Sequence, residues 1–545
     1  MPTSTTPSPE RLSPSAHTDT FCRDNLPAPA DWPEIVLGPD TSYPDRLNCA
    51  TVLLDDVVRE HGGDRSCLLS PDSEEWSYEE LRTRANQIAN LLVEDVGLVP
   101  GNRVLLRGPN NPWTVACWFG VLKAGGVVVA TMPLLRAGEL AAVDEIARID
   151  LALCDHRFLA ELEAVGTSAP VIAYGGSSAD DLCRRIADAS TEHDDVLTAA
   201  DDVALLAFTS GTTGRPKATM HFHRDVLAIA DTFSRHVLQP TREDRFTGTP
   251  PIAFTFGLGG AVVFPLRVGA STLLLEKATP AELAGHIGTH DVTICFTAPT
   301  AYRAMVSGGH TGSLASLRRA VSAGEHLDEA TWRAFHEGTG IRIIDGIGST
   351  EMLHVFIAAA DDDIRPGATG VEVPGYTARV IDADGRTVPD GTPGRLAVKG
   401  PTGCRYLADP RQQVYVENGW NITGDTFVRD DEGYFWYRAR NDDMIISSGY
   451  NIAGPEVEEA VVSHPDVSDC AVVGQADPGR GQLVVAYVVL REGAQAGPEL
   501  AAAIQDHVKS RIAPYKYPRR VEFIDALPRT ATGKLQRYRL RDQTG

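Results

Sequence analysis

The segment Thr209-Ser210-Gly211-Thr212-Thr213-Gly214-Arg215-Pro216-Lys217 packs hydroxyls, glycines and a lysine directly after an apolar run, Val203–Phe208. A loop of this composition after a strand turns backbone N–H groups and side-chain hydroxyls toward phosphate oxygens, and the lysine offsets their charge. The order GxxxxGK[ST] is absent, so spacing excludes a Walker A loop. A second basic cluster, Lys509, Arg511, Lys516, Arg519, Arg520, Arg529, Lys534, Arg537, Arg539 and Arg541, could face a phosphate-bearing ligand or form a solvated face. Covalent catalysis has no visible carrier. There is no GxSxG elbow, and the 9 cysteines stand singly with no CxxC pair, as reduced thiols do in a cytoplasmic protein. His286 and His290 lie four apart without an acidic or thiol partner and read as surface or structural residues.

A phosphate loop needs a strand to carry it and a helix layer to cover that strand. The chain supplies both in alternation. Asn111-Pro112 has the form of an N-cap and first helical position for a helix through Lys123, and Gly126–Ala130 then reads as a buried strand. Apolar runs at Ser271–Leu275, Val292–Phe296 and Ile341–Ile344 extend the pattern, which predicts an α/β body with ligands at the carboxyl ends of parallel strands. Near Gly370 the style changes. Thr377–Asp382, a turn at Asp384-Gly385, and Gly394–Gly400 predict an antiparallel β subdomain. Beyond Arg440 a helix from Pro455, strands at Cys470–Val473 and Leu483–Leu490 and a helix from Glu499 predict a small α+β domain. The expected fold is α/β: a large N-terminal domain of α/β subdomains plus a β subdomain over 21–441, and a small mobile α+β lid over 442–545.

A length of 545 residues with 43% hydrophobic and 23% charged composition fits a multidomain soluble enzyme. A formal charge of -23 repels polyanions, which argues against nucleic acid and anionic membrane as partners. The most apolar stretch, Trp113–Leu135, is interrupted by Lys123 and Gly125-Gly126 and is no membrane span. Residues 1–20 are rich in Ser, Thr and Pro, lack the apolar core of a secretory signal, and read as a disordered tail of a cytoplasmic protein. A homodimer is compatible with all of this.

Together with the loop at Thr209–Lys217, six further motifs follow in order. They are Ser322-Ala-Gly-Glu325, Gly346-Ile-Gly-Ser-Thr-Glu351, Thr423-Gly-Asp425, Arg440-Asn-Asp-Asp443, Ser448-Gly449 and Pro528-Arg-Thr-Ala-Thr-Gly-Lys534. In this respect the chain resembles the adenylate-forming superfamily of acyl-CoA synthetases, adenylation domains and luciferases, over nearly its whole length. The resemblance implies ATP, Mg²⁺ and coenzyme A as cofactors, and adenylation of a carboxylate before transfer to a thiol. Such chemistry requires charge neutralisation at phosphorus more than covalent help.

The resemblance also implies roles. Thr209, Ser210, Gly211, Thr212, Thr213, Gly214 and Lys217 would surround the β- and γ-phosphates, Thr350 would meet the α-phosphate, and Glu351 would hold Mg²⁺. Gly324, Glu325, Asp345, Gly346 and Ile347 would line the adenine pocket, and Asp425, with Arg440 nearby, would take the ribose hydroxyls. Lys534 would bridge the substrate carboxylate and the α-phosphate. A swing about Asp442 would then withdraw Lys534 and bring Ser448 and Gly449 to the pantetheine tunnel. Plainer readings exist as well: Ser349–Glu351 as helix caps, Asp425 as a turn residue.

For the acid itself, Phe254, Thr255 and Phe256, with His354 and Val355 after the glutamate and Gly348 before it, resemble benzoate-CoA ligases and imply a flat aromatic ring with Gly348 against its face. His354 could hydrogen-bond an ortho hydroxyl or amine, or be structural, and the two phenylalanines could be core residues on one face of a strand. Asp19–Pro27 and Asp443–Glu456 look like the 2-aminobenzoate-CoA ligase branch, with salicylate a competing substrate and benzoate third. Ile446 stands where many relatives carry lysine, so no contact of that lysine carries over. The expected protein is an aryl-CoA ligase for an ortho-substituted benzoate. The alternative is a stand-alone enzyme loading an aryl acid onto a carrier protein.

Overall fold

The βαβ alternation resolves into two sheets inside the unit formed by residues up to Ala378 together with Val398–Asn421. The protein is seen in a computed structural model that describes residues 12–71, 74–209, 216–440, 444–447, 450–477, 481–512, 516–529 and 535–541. Among these, one sheet has six strands in the order Val171–Tyr174, Leu151–Asp155, Arg103–Arg107, Val127–Thr131, Val203–Thr209 and Lys217–Phe222. All its pairings are parallel except the last, between Val203–Thr209 and Lys217–Phe222. A second sheet of nine strands is parallel through its centre, where Arg245–Gly248, Ile294–Thr297, Arg319–Ser322 and Ile343–Gly348 lie side by side. It turns antiparallel at Val355–Ala358.

Local sequence accounts for these elements. Asn111 caps the helix Pro112–Lys123 by accepting from the Thr114 amide at 2.9 Å, with Pro112 at its first position. That helix is buried on nearly every side, which explains its unbroken apolarity, and Gly125 at φ +77° turns the chain into the strand Val127–Thr131. No helix among the described residues is long and apolar enough to cross a membrane.

Residues 12–20 depart from the disordered tail expected for them. The Ser13 amide donates to Asp201 Oδ2 and the Ala16 amide to Asp202 Oδ2, both at 2.9 Å, and His17 is buried. Composition concealed this because the acceptors sit far away in sequence.

The second unit comprises Arg379–Ala397 and the chain from Ile422 onward. The turn at Asp384-Gly385 is present, with Gly385 at φ +79°. Helices Gly454–Val462 and Pro498–Arg511 cover strands Val467–Asp477 and Gly481–Leu490 around a core that includes Val457, Val461, Val472, Val484, Ile504 and Val508. The fold is thus mixed α/β with a large N-terminal and a small C-terminal α+β domain.

Candidate active site

Strand Lys217–Phe222 shows how the sequence builds one wall. Side chains alternate along it, so Ala218, Met220 and Phe222 enter the core while Lys217, Thr219 and His221 share the other face. Thr209 and Lys217 are register partners across the antiparallel pair, so the ends of the phosphate loop lie opposite each other. Ser210, Gly211, Thr212, Thr213 and Gly214 between them lie outside the described residues.

Lys217 and His221 both reach the turn after the strand Ile343–Gly348. Lys217 Nζ lies 3.0 Å from Glu351 Oε1, and His221 Nε2 is 2.8 Å from the Thr350 carbonyl. Burial lowers the His221 ring to about 4, so it is neutral and donates from Nε2. Glu351 is only 7% exposed. Burial alone would raise its carboxyl, but the Lys217 charge and the hydrogen bond from Tyr406, 2.6 Å from Oε1, hold it below the usual carboxylate range. The plainer expectation that Ser349–Glu351 cap a helix is incorrect: the segment is a turn in which the Met352 amide meets the Ser349 carbonyl at 3.2 Å. Leu353 is held in the left-handed region at φ +68°, a strained conformation directly behind the carboxylate.

The neighbouring wall lies at the carboxyl ends of two parallel strands. Ser322 and Asp345 are register partners, and Gly324 and Glu325 follow just beyond. Asp345 Oδ1 is shut away from water without a hydrogen-bond partner, although the residue as a whole keeps some exposure. Burial pushes its carboxyl up to about 8, opposed only in part by the Gly346 amide and the Ser322 hydroxyl. A cavity against it is lined by Leu327, Trp332, Ile364 and Thr369. In the second unit Asp425 is a buried strand residue in register with Arg440, not a turn residue.

The aromatic residues separate into two groups. His354, 2% exposed, packs among Phe233, Phe256, Phe264 and Phe296 at centroid distances of 5.3, 5.5, 4.6 and 6.4 Å. Neither ring nitrogen has a well-formed hydrogen bond, and burial drives the ring down to about 3, opposed only weakly by the Phe256 backbone, so it is neutral. Phe254 and Thr255 line a separate cleft with Trp118, Ala207 and Ile252. The strand expected for the two phenylalanines is instead a single helical turn, Thr255–Leu258, because Pro250-Pro251 and the glycines beyond break extended pairing. Gly348 pairs with Val355, and a methyl group on it would lie 2.6 Å from the His354 carbonyl oxygen.

Sequence motifs missed Tyr406, Tyr415 and His221. Tyr406 reaches the site because Thr219 forms a bridge with it and the Leu407 amide donates to the Ala218 carbonyl at 2.9 Å. Tyr415 follows, its hydroxyl 3.2 Å from that of Ser349. No local pattern signals such a pairing across nearly 190 residues. Lys534, Ser448, Gly449 and Asp442, the expected hinge, lie outside the described residues. Chemically, the described site offers a cation, a carboxylate and hydroxyls around one turn. One buried carboxylate beside a lysine fits Mg²⁺, which takes most of its ligands from water and substrate phosphate.

Comparison with known proteins agrees with this geometry. Residues 54–406 match the family described as AMP-binding enzyme, and residues 456–534 match the AMP-binding enzyme C-terminal domain. A benzoate–CoA ligase of Thauera aromatica is 35% identical over 92% of this chain and 97% of its own length. The structure of the anthranilate CoA ligase AuaEII in complex with anthranoyl-AMP superposes with a TM-score of 0.87 at 32% identity, covering 92% of this chain and 98% of that one. A benzoate CoA ligase from Burkholderia xenovorans LB400 gives 0.83 at 29% identity, covering 91% and 100%.

Proposed function

Since the chain belongs to the AMP-binding enzyme family and is an AMP-forming acid–coenzyme A ligase, we propose that its acid is a benzoate carrying a small ortho amino or hydroxyl group. The observation that carries this reading is His354. A neutral imidazole whose nitrogens find at most a weak partner in the Phe256 backbone, set among phenylalanines, is costly to bury. A flat ring would complete the aromatic surroundings, and an ortho amine or hydroxyl can both donate to and accept from such a histidine. The names of the relatives, which act on benzoate and anthranilate, support the same class.

In the first half-reaction a carboxylate oxygen of the acid attacks the α-phosphorus and pyrophosphate leaves. Thr209, Lys217 and the loop between them would take the β- and γ-phosphates, and Thr350, its carbonyl held by His221, would offer its hydroxyl to the α-phosphate. Glu351 would hold Mg²⁺, which when bound would supply charge neutralisation. Asp345, Gly346, Ile347, Gly324 and Glu325 would take the adenine, and the family resemblance assigns Asp425 to the ribose and Lys534 to the reacting oxygens. In the second half-reaction the coenzyme A thiol attacks the acyl carbonyl and AMP leaves. Burial raises all nine cysteine thiols, so none is poised as a thiolate to carry the acyl group in between.

The test is AMP release with ATP and free coenzyme A across benzoate, 2-aminobenzoate, 2-hydroxybenzoate, their meta and para isomers, and aliphatic acids. The ortho-substituted acids should lead. Faster turnover of aliphatic acids would overturn the aromatic reading, and an adenylate untouched by free coenzyme A would favour carrier-protein loading.

A further inference from the structure

Tyr406 touches both charged partners of the site. Its hydroxyl donates to Glu351 Oε1 at 2.6 Å and accepts from Lys217 Nζ, while Lys217 and Glu351 stand 3.0 Å apart. The Lys217 ammonium also lies 4.3 Å from the centre of the Tyr406 ring and 5.5 Å from that of Tyr415. The phenol has little freedom to leave this position. The Tyr406 amide donates to Gln412 Oε1 at 2.8 Å, and the Tyr415 ring meets the Tyr406 ring edge-on at 5.8 Å.

We propose that Tyr406 is a positioning residue for the nucleotide half-reaction, holding the Glu351 carboxylate oriented for a divalent cation once Lys217 has left it for the phosphates of ATP. The reason is an exchange of partners. Without nucleotide, the buried carboxylate has both the ammonium and the phenol. A lysine drawn to phosphate leaves the phenol as the side chain still donating to Oε1, so losing the hydroxyl costs more in the nucleotide-bound protein than in the free one. Charge-assisted hydrogen bonds of this kind also fix direction, which a hard cation with strict geometry requires of its carboxylate ligand.

Tyr406→Phe in the full-length protein keeps the ring, its volume and its aromatic neighbours, and removes only the hydroxyl. Calorimetric titration with ATP at a series of Mg²⁺ concentrations, without acid or coenzyme A, reads the effect directly. The half-saturating Mg²⁺ concentration should rise and MgATP should bind about tenfold more weakly, equivalent to about 1.4 kcal/mol. Thioester formation from supplied benzoyl-adenylate and coenzyme A should stay within twofold of the wild type. In a Glu351→Gln background the same substitution should add nothing to the Mg²⁺ dependence, because the carboxylate it acts through is gone. Wild-type Mg²⁺ dependence in Tyr406→Phe, an additive effect in the Glu351→Gln background, or equal loss of both half-reactions would each overturn the assignment. Because the binding titration contains no acid, its outcome is independent of which acid the enzyme activates.

Discussion

Replacing Gly259 by alanine adds one methyl group against the His354 ring. The new carbon would stand 2.5 Å from His354 Cδ2, 2.6 Å from Nε2 and 3.0 Å from Phe264 Cζ. Ordinary contact begins at 3.4 Å, so the ring must retreat by about 0.9 Å. Phe233, Phe256, Phe264 and Phe296 stand around it, so the retreat is resisted. Two terms oppose each other. Gly259 has helical backbone angles, φ -58° and ψ -56°, so alanine is conformationally allowed and would by itself stabilise by about 0.5–1 kcal/mol. Overpacking against a ring held between four phenylalanines costs about 1–3 kcal/mol. The steric term is the larger, and the net loss should be about 1–2 kcal/mol. Thermal unfolding of the two proteins gives the sign, and the KM for 2-aminobenzoate against the KM for MgATP shows where the displaced ring is felt. The acid KM should rise while that of MgATP holds. A variant as stable as the wild type or more so, with an unchanged acid KM, would refute the idea that His354 is pinned at the acid site.

Three further substitutions probe other parts of the structure. Arg405 and Asp225 form an ion pair at 2.9 Å with neither side chain exposed. Arg405→Met should destabilise by about 3–5 kcal/mol, with part of the loss recovered in the Arg405→Met/Asp225→Leu double variant, as read by denaturation midpoints. The Asp345 carboxyl, raised by burial from 3.8 to about 8, keeps a proton that the unfolded chain releases. Its contribution to stability is therefore lost as pH rises from about 4 to about 8, and Asp345→Asn should flatten the melting profile of nucleotide-free protein across that window; parallel profiles would contradict this. Lys534→Ala should abolish adenylation yet spare thioester formation from supplied aryl-AMP, measured as two separate half-reactions; equal loss of both would sink the two-step scheme.

Much of this architecture was legible in the sequence where local chemistry repeats. The Asn111-Pro112 helix start, the strand before the phosphate loop and the turn at Gly385 each depend on a few neighbouring residues, and each formed as expected. Phe254 and Phe256, expected at the acid site, show the limit of periodicity. Phe254 and Phe256 alternate like strand residues, but the prolines before them and Gly257 after enforce a turn, so one ring reaches His354 while the other lines a different cleft. Long-range pairing was hidden altogether. Nothing in Cys404-Arg405-Tyr406 announces that it lies beside Thr219, yet that bridge sets Tyr406 on Glu351. The same holds for Ser13–Ala16, whose Ser- and Pro-rich composition suggests disorder until Asp201 and Asp202 are placed beneath it.

A competition assay joins the claims about the acid and about coenzyme A in one measurement. Equimolar benzoate, 2-aminobenzoate, 2-hydroxybenzoate and hexanoate are supplied with limiting ATP, Mg²⁺ and coenzyme A, and the thioesters formed by wild type and His354→Phe are quantified by mass spectrometry. The wild type should make chiefly the ortho-substituted aryl-CoA, and His354→Phe should shift toward benzoyl-CoA. Hexanoyl-CoA as the main product, or an ortho preference unchanged in His354→Phe, would contradict the proposed function.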